Sequence, residues 1–229
     1  LGVNAQSNII ISDVKLTNPV RGDAIEIRGS NGNAKNFWFH HLELTASQDG
    51  LIDFRGGTDV TISWCHFHTH LKAVLVSTDT LNGPNPDMRI TAHHNYFERI
   101  TRRGIELGYG RGDYFNNFQY RWYEHGASST REAQLLSEAN IYEARPGFIS
   151  FERDPNPGGD RDYIVSKKAL IADLDGRVLG YSRSVNDVTV NDAKITTREP
   201  TDDQLEIALI SIRKTLWRER SGARQQWVE

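Results

Sequence analysis

The chain is poor in several things, and each shortage excludes something. Cys65 is the single cysteine in 229 residues, so there is no internal disulfide, and the compartment stays open because secreted proteins can also lack bridges. No apolar run approaches the roughly 18 residues that a membrane-spanning helix needs, which excludes such a span. The net charge of -3 and the pI near 6.3 give no overall electrostatic reason to bind nucleic acid. A polyanion would have to be held by a local cluster or a metal. The first residues, Leu1-Gly-Val-Asn, contain no initiator Met and no signal-like segment, so the sequence reads as a processed or trimmed product. What is present is the composition of a folded protein: 38% hydrophobic, 25% charged and 10% aromatic residues, in a mass of 26.0 kDa that allows one large domain or one and a half.

Residues 1 to 143 contain almost nothing with a 3.6-residue apolar period. They contain two alternating series of short β-rich runs. One series includes Ala24-Ile-Glu-Ile, Leu51-Ile-Asp-Phe, Ala73-Val-Leu-Val, Gly104-Ile-Glu-Leu and Ala133-Gln-Leu-Leu. The other includes Phe37-Trp-Phe-His-His-Leu, Val60-Thr-Ile-Ser-Trp-Cys-His-Phe and Tyr114-Phe-Asn-Asn-Phe. Lining up the residue before each terminal apolar or aromatic pair gives Leu42, Cys65, Asn95, Asn117 and Asn140, spaced by 23, 30, 22 and 23 residues. The long interval holds the turn-rich insertion from Leu81. A repeat of this length marks a solenoid. Leucine-rich repeats need leucines at fixed intervals, which are missing, so an all-β parallel β-helix of about five coils is expected. Asn95, Asn117 and Asn140 should then stack in one turn, with Cys65 as a buried packing residue beside them.

From Ala144 the periodicity stops. Pro146, Pro155, Pro157, Gly158 and Gly159 mark irregular chain, followed by expected strands at 163–165, 169–172, 177–181 and 188–190. Residues 202–219 read as an amphipathic helix: Thr201 and Gln204 have capping-box spacing, and Leu205, Ala208, Leu209, Ile212 and Leu216 share a face. The expected organisation is a solenoid over 1–143 and a C-terminal extension over 144–229, its helix packed on the solenoid.

In Asp49-Gly-Leu-Ile-Asp53, strand alternation places Asp49, Leu51 and Asp53 on one face and Gly50, Ile52 and Phe54 on the other. The second face is apolar, so both aspartates should point outward. Registering the strands by their apolar pattern sets Glu26 beside Asp53, with Asp23 near the start of its strand. Such a cluster of carboxylates is unfavourable unless a cation neutralises it, and an all-oxygen set suits Ca²⁺. In the same register Lys72 and Arg103 fall at the strand-start edge with Asp23, and Arg99, Arg102 and Arg111 add positive charge close by. A groove of this kind could hold an acidic polysaccharide and polarise its carboxylates. Two other readings stay open. His66, His68 and His70 alternate on one strand face and could bind zinc. Asp49 and Asp53 could be the acid and base of a β-helical glycoside hydrolase.

Several ordered motifs between Asn8 and Glu143 resemble the calcium-dependent pectate lyases and their superfamily. They are Ser7-Asn-Ile-Ile-Ile-Ser-Asp-Val-Lys-Leu, Gln48-Asp-Gly-Leu-Ile-Asp, Asp59-Val-Thr-Ile-Ser-Trp-Cys-His-Phe-His-Thr-His-Leu-Lys, His93-His-Asn-Tyr-Phe-Glu-Arg and Leu136-Ser-Glu-Ala-Asn-Ile-Tyr. The resemblance implies a right-handed parallel β-helix, secreted, that cleaves a 1,4-linked uronan by β-elimination. By position it implies calcium at Asp23, Asp49 and Asp53, with Glu26 as the substitute for Asp23. Lys72 corresponds to the substrate-carboxylate lysine and Arg103 to the general-base arginine. Gly108 stands where a second arginine, gripping the substrate carboxylate, is usual; Leu71 stands where an aspartate is common, and His40 where the family motif has an aspartate. Arg102 or Arg111 is expected to supply the grip that Gly108 cannot. A glycine at 108 also fits a non-catalytic carbohydrate-binding β-helix of adhesin or tail-spike type. Because the resemblance begins some way into the family's solenoid, an upstream segment or another subunit is expected to cap the first coil.

Overall fold

The computed structural model describes residues 1–4, 6–17, 21–29, 33–77, 87–122, 125–130 and 133–144, together with strands at 161–166, 181–185, 188–190 and 194–195. Six successive coils each deliver one strand to each of three sheets. The first coil contributes β1 (Gly2–Asn4), β2 (Ser7–Ser12) and β3 (Lys15–Thr17); the second β4 (Ile25–Arg28), β5 (Lys35–His40) and β6 (Glu43–Thr45). The third contributes β7 (Ile52–Arg55), β8 (Thr58–Ser63) and β9 (His66–Lys72); the fourth β10 (Val74–Ser77), β11 (Arg89–His93) and β12 (Tyr96–Arg102). The fifth contributes β13 (Ile105–Gly108), β14 (Arg111–Phe115) and β15 (Phe118–Trp122); the sixth β16 (His125–Thr130), β17 (Gln134–Glu138) and β18 (Ile141–Ala144). The sheets run β1-β4-β7-β10-β13-β16, β2-β5-β8-β11-β14-β17 and β3-β6-β9-β12-β15-β18, and every one of these pairings is parallel. This is the parallel β-helix that the repeat predicts, with one more coil than expected.

The sheets also continue past residue 143. Strands β19 (Arg161–Ser166), β20 (Tyr181–Val185), β21 (Val188–Val190) and β22 (Lys194–Ile195) extend all three. The β16–β19 and β19–β22 pairings are antiparallel. The expected strands at 163–165 and 188–190 are therefore found; of the one expected at 177–181 only Tyr181, which opens β20, is described, and the strand at 169–172 and the helix at 202–219 lie outside the described residues. No helix among the described residues is long and apolar enough to cross a membrane.

Strand alternation builds the core. Ile25 and Ile27, Ile52 and Phe54, Val74 and Val76, and Ile105 and Leu107 point inward from the first sheet and are buried. Phe37, Phe39, Val60, Ile62, Ile90 and Tyr114 do the same from the second sheet, and Leu44, Phe67 and Phe97 from the third. Stacked coils bring like residues together, so Phe67 and Phe97 lie parallel at 4.8 Å. In the first coil Val3, Ile9, Ile11 and Leu16 pack on this core only partly buried, and Ile10 is 65% exposed. Among the described residues no strand pairs the outer edges of β1, β2 and β3.

The corner between the second and third sheets is the same in every coil. A residue in the left-handed region comes first: Asp13, His41, Trp64, His94, Asn116 and Ala139 have φ between 50° and 57°. From the second coil on the next residue is buried, Leu42 first and then Cys65, Asn95, Asn117 and Asn140, whereas Val14 in the first coil is exposed. The Asn117 Oδ1 accepts from the Asn95 backbone N–H and from Asn95 Nδ2, each at 3.0 Å. Asn140 Oδ1 serves Asn117 in the same way at 2.8 and 2.9 Å, and Asn95 Oδ1 accepts from the Cys65 N–H at 2.9 Å. The predicted amide ladder is thus present. Cys65 is its apolar continuation, and burial raises its thiol pKa to about 12.

Candidate active site

The corner between the third and first sheets collects the site. Here the chain leaves one strand and turns into the next, so the residues between strands are not committed to alternation: six of them between β6 and β7, one between β9 and β10 and two between β12 and β13. The stack is Asp23 before β4, Asp49 before β7, Lys72 at the end of β9 and Arg103 before β13. Backbone hydrogen bonds tie the layers together. Ala24 N–H donates to Gly50 O at 3.0 Å, Leu51 N–H to Lys72 O at 3.1 Å, and Val74 N–H to Arg103 O at 2.8 Å. Arg103 has φ of 59°, a left-handed conformation that turns it at the corner.

Beside the corner, the outer face of the first sheet carries two rows at right angles to its strands. One row runs Glu26, Asp53, Leu75, Glu106 and Ser128; the next runs Arg28, Arg55, Ser77 and Gly108. Glu26 therefore lies beside Asp53, as the apolar register predicts. Gly108, the position that lacks an expected arginine, shares its row with Arg28 and Arg55.

Nearly every carboxylate here is held by a cation of the chain. Asp53, 3% exposed, accepts from Arg55 Nε at 2.8 and 2.9 Å and also from Arg55 Nη2. This bidentate bond raises the Arg55 pKa. Arg28 donates to Glu26 Oε1 at 2.6 and 2.9 Å, and Arg103 Nε to the buried Glu106 Oε2 at 2.7 Å. Lys72 Nζ bonds Asp49 Oδ1, and that bond holds the Asp49 pKa below its usual value, with Arg103 and Arg55 adding to it. Asp23 is different. It makes no ion pair among the described residues, accepting instead from Gly50 N–H at 2.7 Å. Its pKa is raised, first by burial and then by the negative charge of Asp53, with smaller contributions from Asp49 and Glu26. Asp23 is thus a partly buried carboxylate with other carboxylates near it.

The structure brings together Asp23, Glu26, Asp49, Asp53, Lys72 and Arg103. Arg102 ends β12 in register with Lys72, one coil away. Arg99 bonds its neighbour Glu98 at 3.2 Å in the third sheet. Arg111 is elsewhere: it opens β14 in the second sheet, between Arg89 and Gln134 in register, and lines an open groove on that sheet's outer face with Trp38 and Arg89. The alternation that places Leu51 outward with Asp49 and Asp53 also fails. Leu51 is fully buried, because β7 begins only at Ile52 and alternation does not extend back through the corner.

The three histidines of the zinc reading do not converge. His66 faces Glu98 and His68 faces Glu43, each at 3.3 Å, while His70 Nε2 turns to Asp49 O at 2.7 Å. Among the described residues no three His, Cys, Asp or Glu side chains are gathered closely enough to hold a metal ion as they stand. The reason at the carboxylate corner is visible: Asp49 and Asp53 face Lys72 and Arg55. The donor set there is oxygen only, and Asp23 makes no ion pair among the described residues, so the chemistry fits a hard cation such as Ca²⁺ once Asp49 and Asp53 exchange those partners.

Arg28, Arg55 and Glu106 are the site residues that motif reading passes over, and His70 is one it singles out for a different role, as a zinc ligand. Alternation would have found two of them, since Arg28 and Arg55 stand two residues after Glu26 and Asp53 on the same strand faces.

A parallel β-helix with acidic and basic residues stacked along one corner defines the class of protein. The family model for pectate lyase matches residues 1–153, and the chain belongs to the pectate lyase family. It is 32% identical over 154 residues to a pectate trisaccharide-lyase of Bacillus licheniformis, covering 63% of this chain and 44% of that protein. It is 32% identical over 201 residues to a probable pectate lyase A of Neosartorya fischeri, covering 79% of this chain and 61% of that one. The chain thus spans about half the length of the curated relatives it matches. The crystal structure of jun a 1, the major allergen from cedar pollen, superposes with a TM-score of 0.69 at 21% identity, over 93% of this chain and 67% of that one.

Proposed function

We propose that this chain carries the catalytic corner of a polysaccharide lyase that cleaves pectate-like 1,4-linked uronans by β-elimination. The observation that supports it best is the stack of Asp23, Asp49, Lys72 and Arg103 on four successive coils of a pectate lyase family β-helix. The proton to be removed, at C5 of a uronyl unit, is α to a carboxylate and only weakly acidic. Lys72 neutralises that carboxylate, which lowers the cost of the enolate-like charge that develops as the proton leaves. Arg103, in the deprotonated form that a base requires, receives the proton and later returns it to solvent; the C5–H electrons become the C4–C5 double bond, and the bond from C4 to the linking oxygen breaks. The linking oxygen leaves on C1 of the neighbouring unit and takes a proton from solvent, so the products are a new reducing end and an unsaturated uronyl end. Arg103 is held for this by Glu106, which accepts from its Nε at 2.7 Å.

Calcium is the cofactor we assign, held by Asp23, Asp49 and Asp53 with Glu26 adjacent. When bound it supplies Lewis-acid stabilisation of carboxylate charge. We place the working enzyme outside the cell, because a polymeric acidic substrate is too large to enter one. The test is polygalacturonate incubated with and without calcium, read by the ultraviolet absorbance of the unsaturated end. Product should form with calcium only. Arg103→Ala should lower the rate by about 10²–10⁴-fold, and Asp53→Asn should raise the calcium concentration required. Unchanged product from either variant, or reducing ends without absorbance, would overturn the assignment.

A further inference from the structure

The turn that carries Asp49 has a latch from the next coil. His70 projects from β9, and its Nε2 lies 2.7 Å from Asp49 O and 2.9 Å from Ser47 Oγ. A backbone carbonyl only accepts, so Nε2 carries the proton. Ser47 Oγ spends its own proton on Gly50 O at 2.7 Å and therefore accepts from the same Nε2–H. One imidazole N–H thus bridges two points of the 47–50 turn, which Ser47 closes on itself. The consequences reach three site residues. Asp49 presents its carboxylate to Lys72, and Gly50 presents its N–H to Asp23 at 2.7 Å. Asp49 N–H also reaches back to Gly22 O at 3.0 Å. If the turn rotates, Asp23, Asp49 and Lys72 lose their mutual placement together.

We infer that His70 is a positioning residue: its Nε2–H latches the Ser47–Gly50 turn and so sets the geometry of Asp23, Asp49 and Lys72. For its functional consequence this rests on the lyase reading above; for its structural consequence it does not. The nitrogen is the working part, so replacements separate latch from packing. His70→Gln keeps a side-chain N–H donor of similar reach, whereas His70→Phe keeps the ring and removes the donor.

Two readouts are needed on the full chain. In hydrogen exchange, His70→Phe and His70→Ala should speed exchange in peptides covering 47–51 by about three- to tenfold, with His70→Gln close to wild type. In terbium luminescence, the lanthanide serving as a calcium probe, His70→Phe should weaken affinity by a similar factor and His70→Gln should restore it. Exchange that is unchanged in His70→Phe, or equally fast in His70→Gln, overturns the latch, because ring packing would then be the whole role. A latch confirmed by exchange in a wild-type chain that neither binds terbium nor produces unsaturated ends leaves the positioning role standing and removes the lyase reading instead. If all variants fail to fold, pulse proteolysis of the wild type decides: cleavage within 47–51 before global unfolding would show a turn that nothing latches.

Discussion

At the scale of single residues, the ion pair between Asp53 and Arg55 carries the sharpest consequence. Asp53 is nearly inaccessible, and Arg55 is the cation that compensates it. Removing Arg55 leaves a buried carboxylate without its partner, a change that costs about 3–5 kcal/mol for deeply buried pairs. Arg55 itself keeps 31% side-chain exposure, so about 2 kcal/mol is the expected loss for Arg55→Ala. If Asp53 also faces the calcium position, the metal can replace the missing guanidinium. Thermal melts should therefore show Arg55→Ala recovering more stability on calcium addition than wild type does, since a ligand stabilises the fold in proportion to its occupancy of the native state. Equal calcium shifts in both proteins would mean that Asp53 is a purely structural partner of Arg55. Asp53 and Glu26 can be read from the sequence because they sit inside strands, where alternation and register are rigid. Asp23 and Asp49 cannot be placed by the same means, because they sit at a corner where the side-chain period of two is broken. Their positions depend on Gly50 N–H, Lys72 and His70, contacts between residues 21 to 27 apart in sequence.

At the scale of the coil, the asparagine ladder shows why a 22- or 23-residue period is visible at all. Each ladder amide is fully used: Asn117 is fully buried, accepts from Asn95, and donates from Nδ2 to Ala92 O, Phe115 O and Asn140 Oδ1. No other side chain has one acceptor and two donors on so short a stem, so the turn dictates the residue and the repeat appears in the sequence. Asn117→Ala strands the Asn95 N–H and the Ala92 carbonyl inside the core and should cost about 2–4 kcal/mol. The comparison is Asn36→Ala. Asn36 donates to Asn8 Oδ1 at 2.8 Å on the exposed face of the second sheet, where water can replace the bond, so denaturant melts should place that variant within about 0.5 kcal/mol of wild type. Similar losses at both positions would remove the ladder's special standing. Among the described residues beyond 144 no ladder asparagine continues the count, and the period is lost in the sequence even though strands β20 and β21 add in parallel to β17 and β18. Arg111 escapes sequence reading for a related reason: its distance along the chain from Arg103 is short, but the corner after β13 sends it to another sheet.

At the scale of the whole solenoid, stacking places titratable rings on one another along the edge outside the ladder, and this sets how stability varies with pH. His93 Nδ1 lies 2.8 Å from His94 Nδ1, so one ring must donate to the other and they cannot both be protonated in that geometry. Trp64 stacks on His94 at 4.3 Å, and Phe115 on His93 at 5.1 Å. The His93 pKa is lowered to about 4 by burial and then by His94 and His40, and burial also lowers those of His41 and His94. The sign follows from proton counts. Above about pH 6.5 these rings are neutral in both the folded and the unfolded chain, and they contribute no pH dependence. Between about 6.5 and 4 the unfolded chain takes up protons that the folded chain refuses, so stability falls as the pH falls, and below about 4 the His93 contribution levels off. The His93 shift alone corresponds to at most about 3 kcal/mol, reduced to about 1–2 kcal/mol by the ring's partial exposure. Asp23 acts in the opposite direction, since its raised pKa favours the folded chain at low pH, so the histidines must be tested separately from it. His93→Phe preserves the stack on Phe115 and removes the titration. Its unfolding free energy should exceed that of wild type increasingly from pH 6.5 down to pH 4, and the two should run parallel above pH 7. Parallel curves across the whole range would show that the stacked imidazoles do not control acid stability.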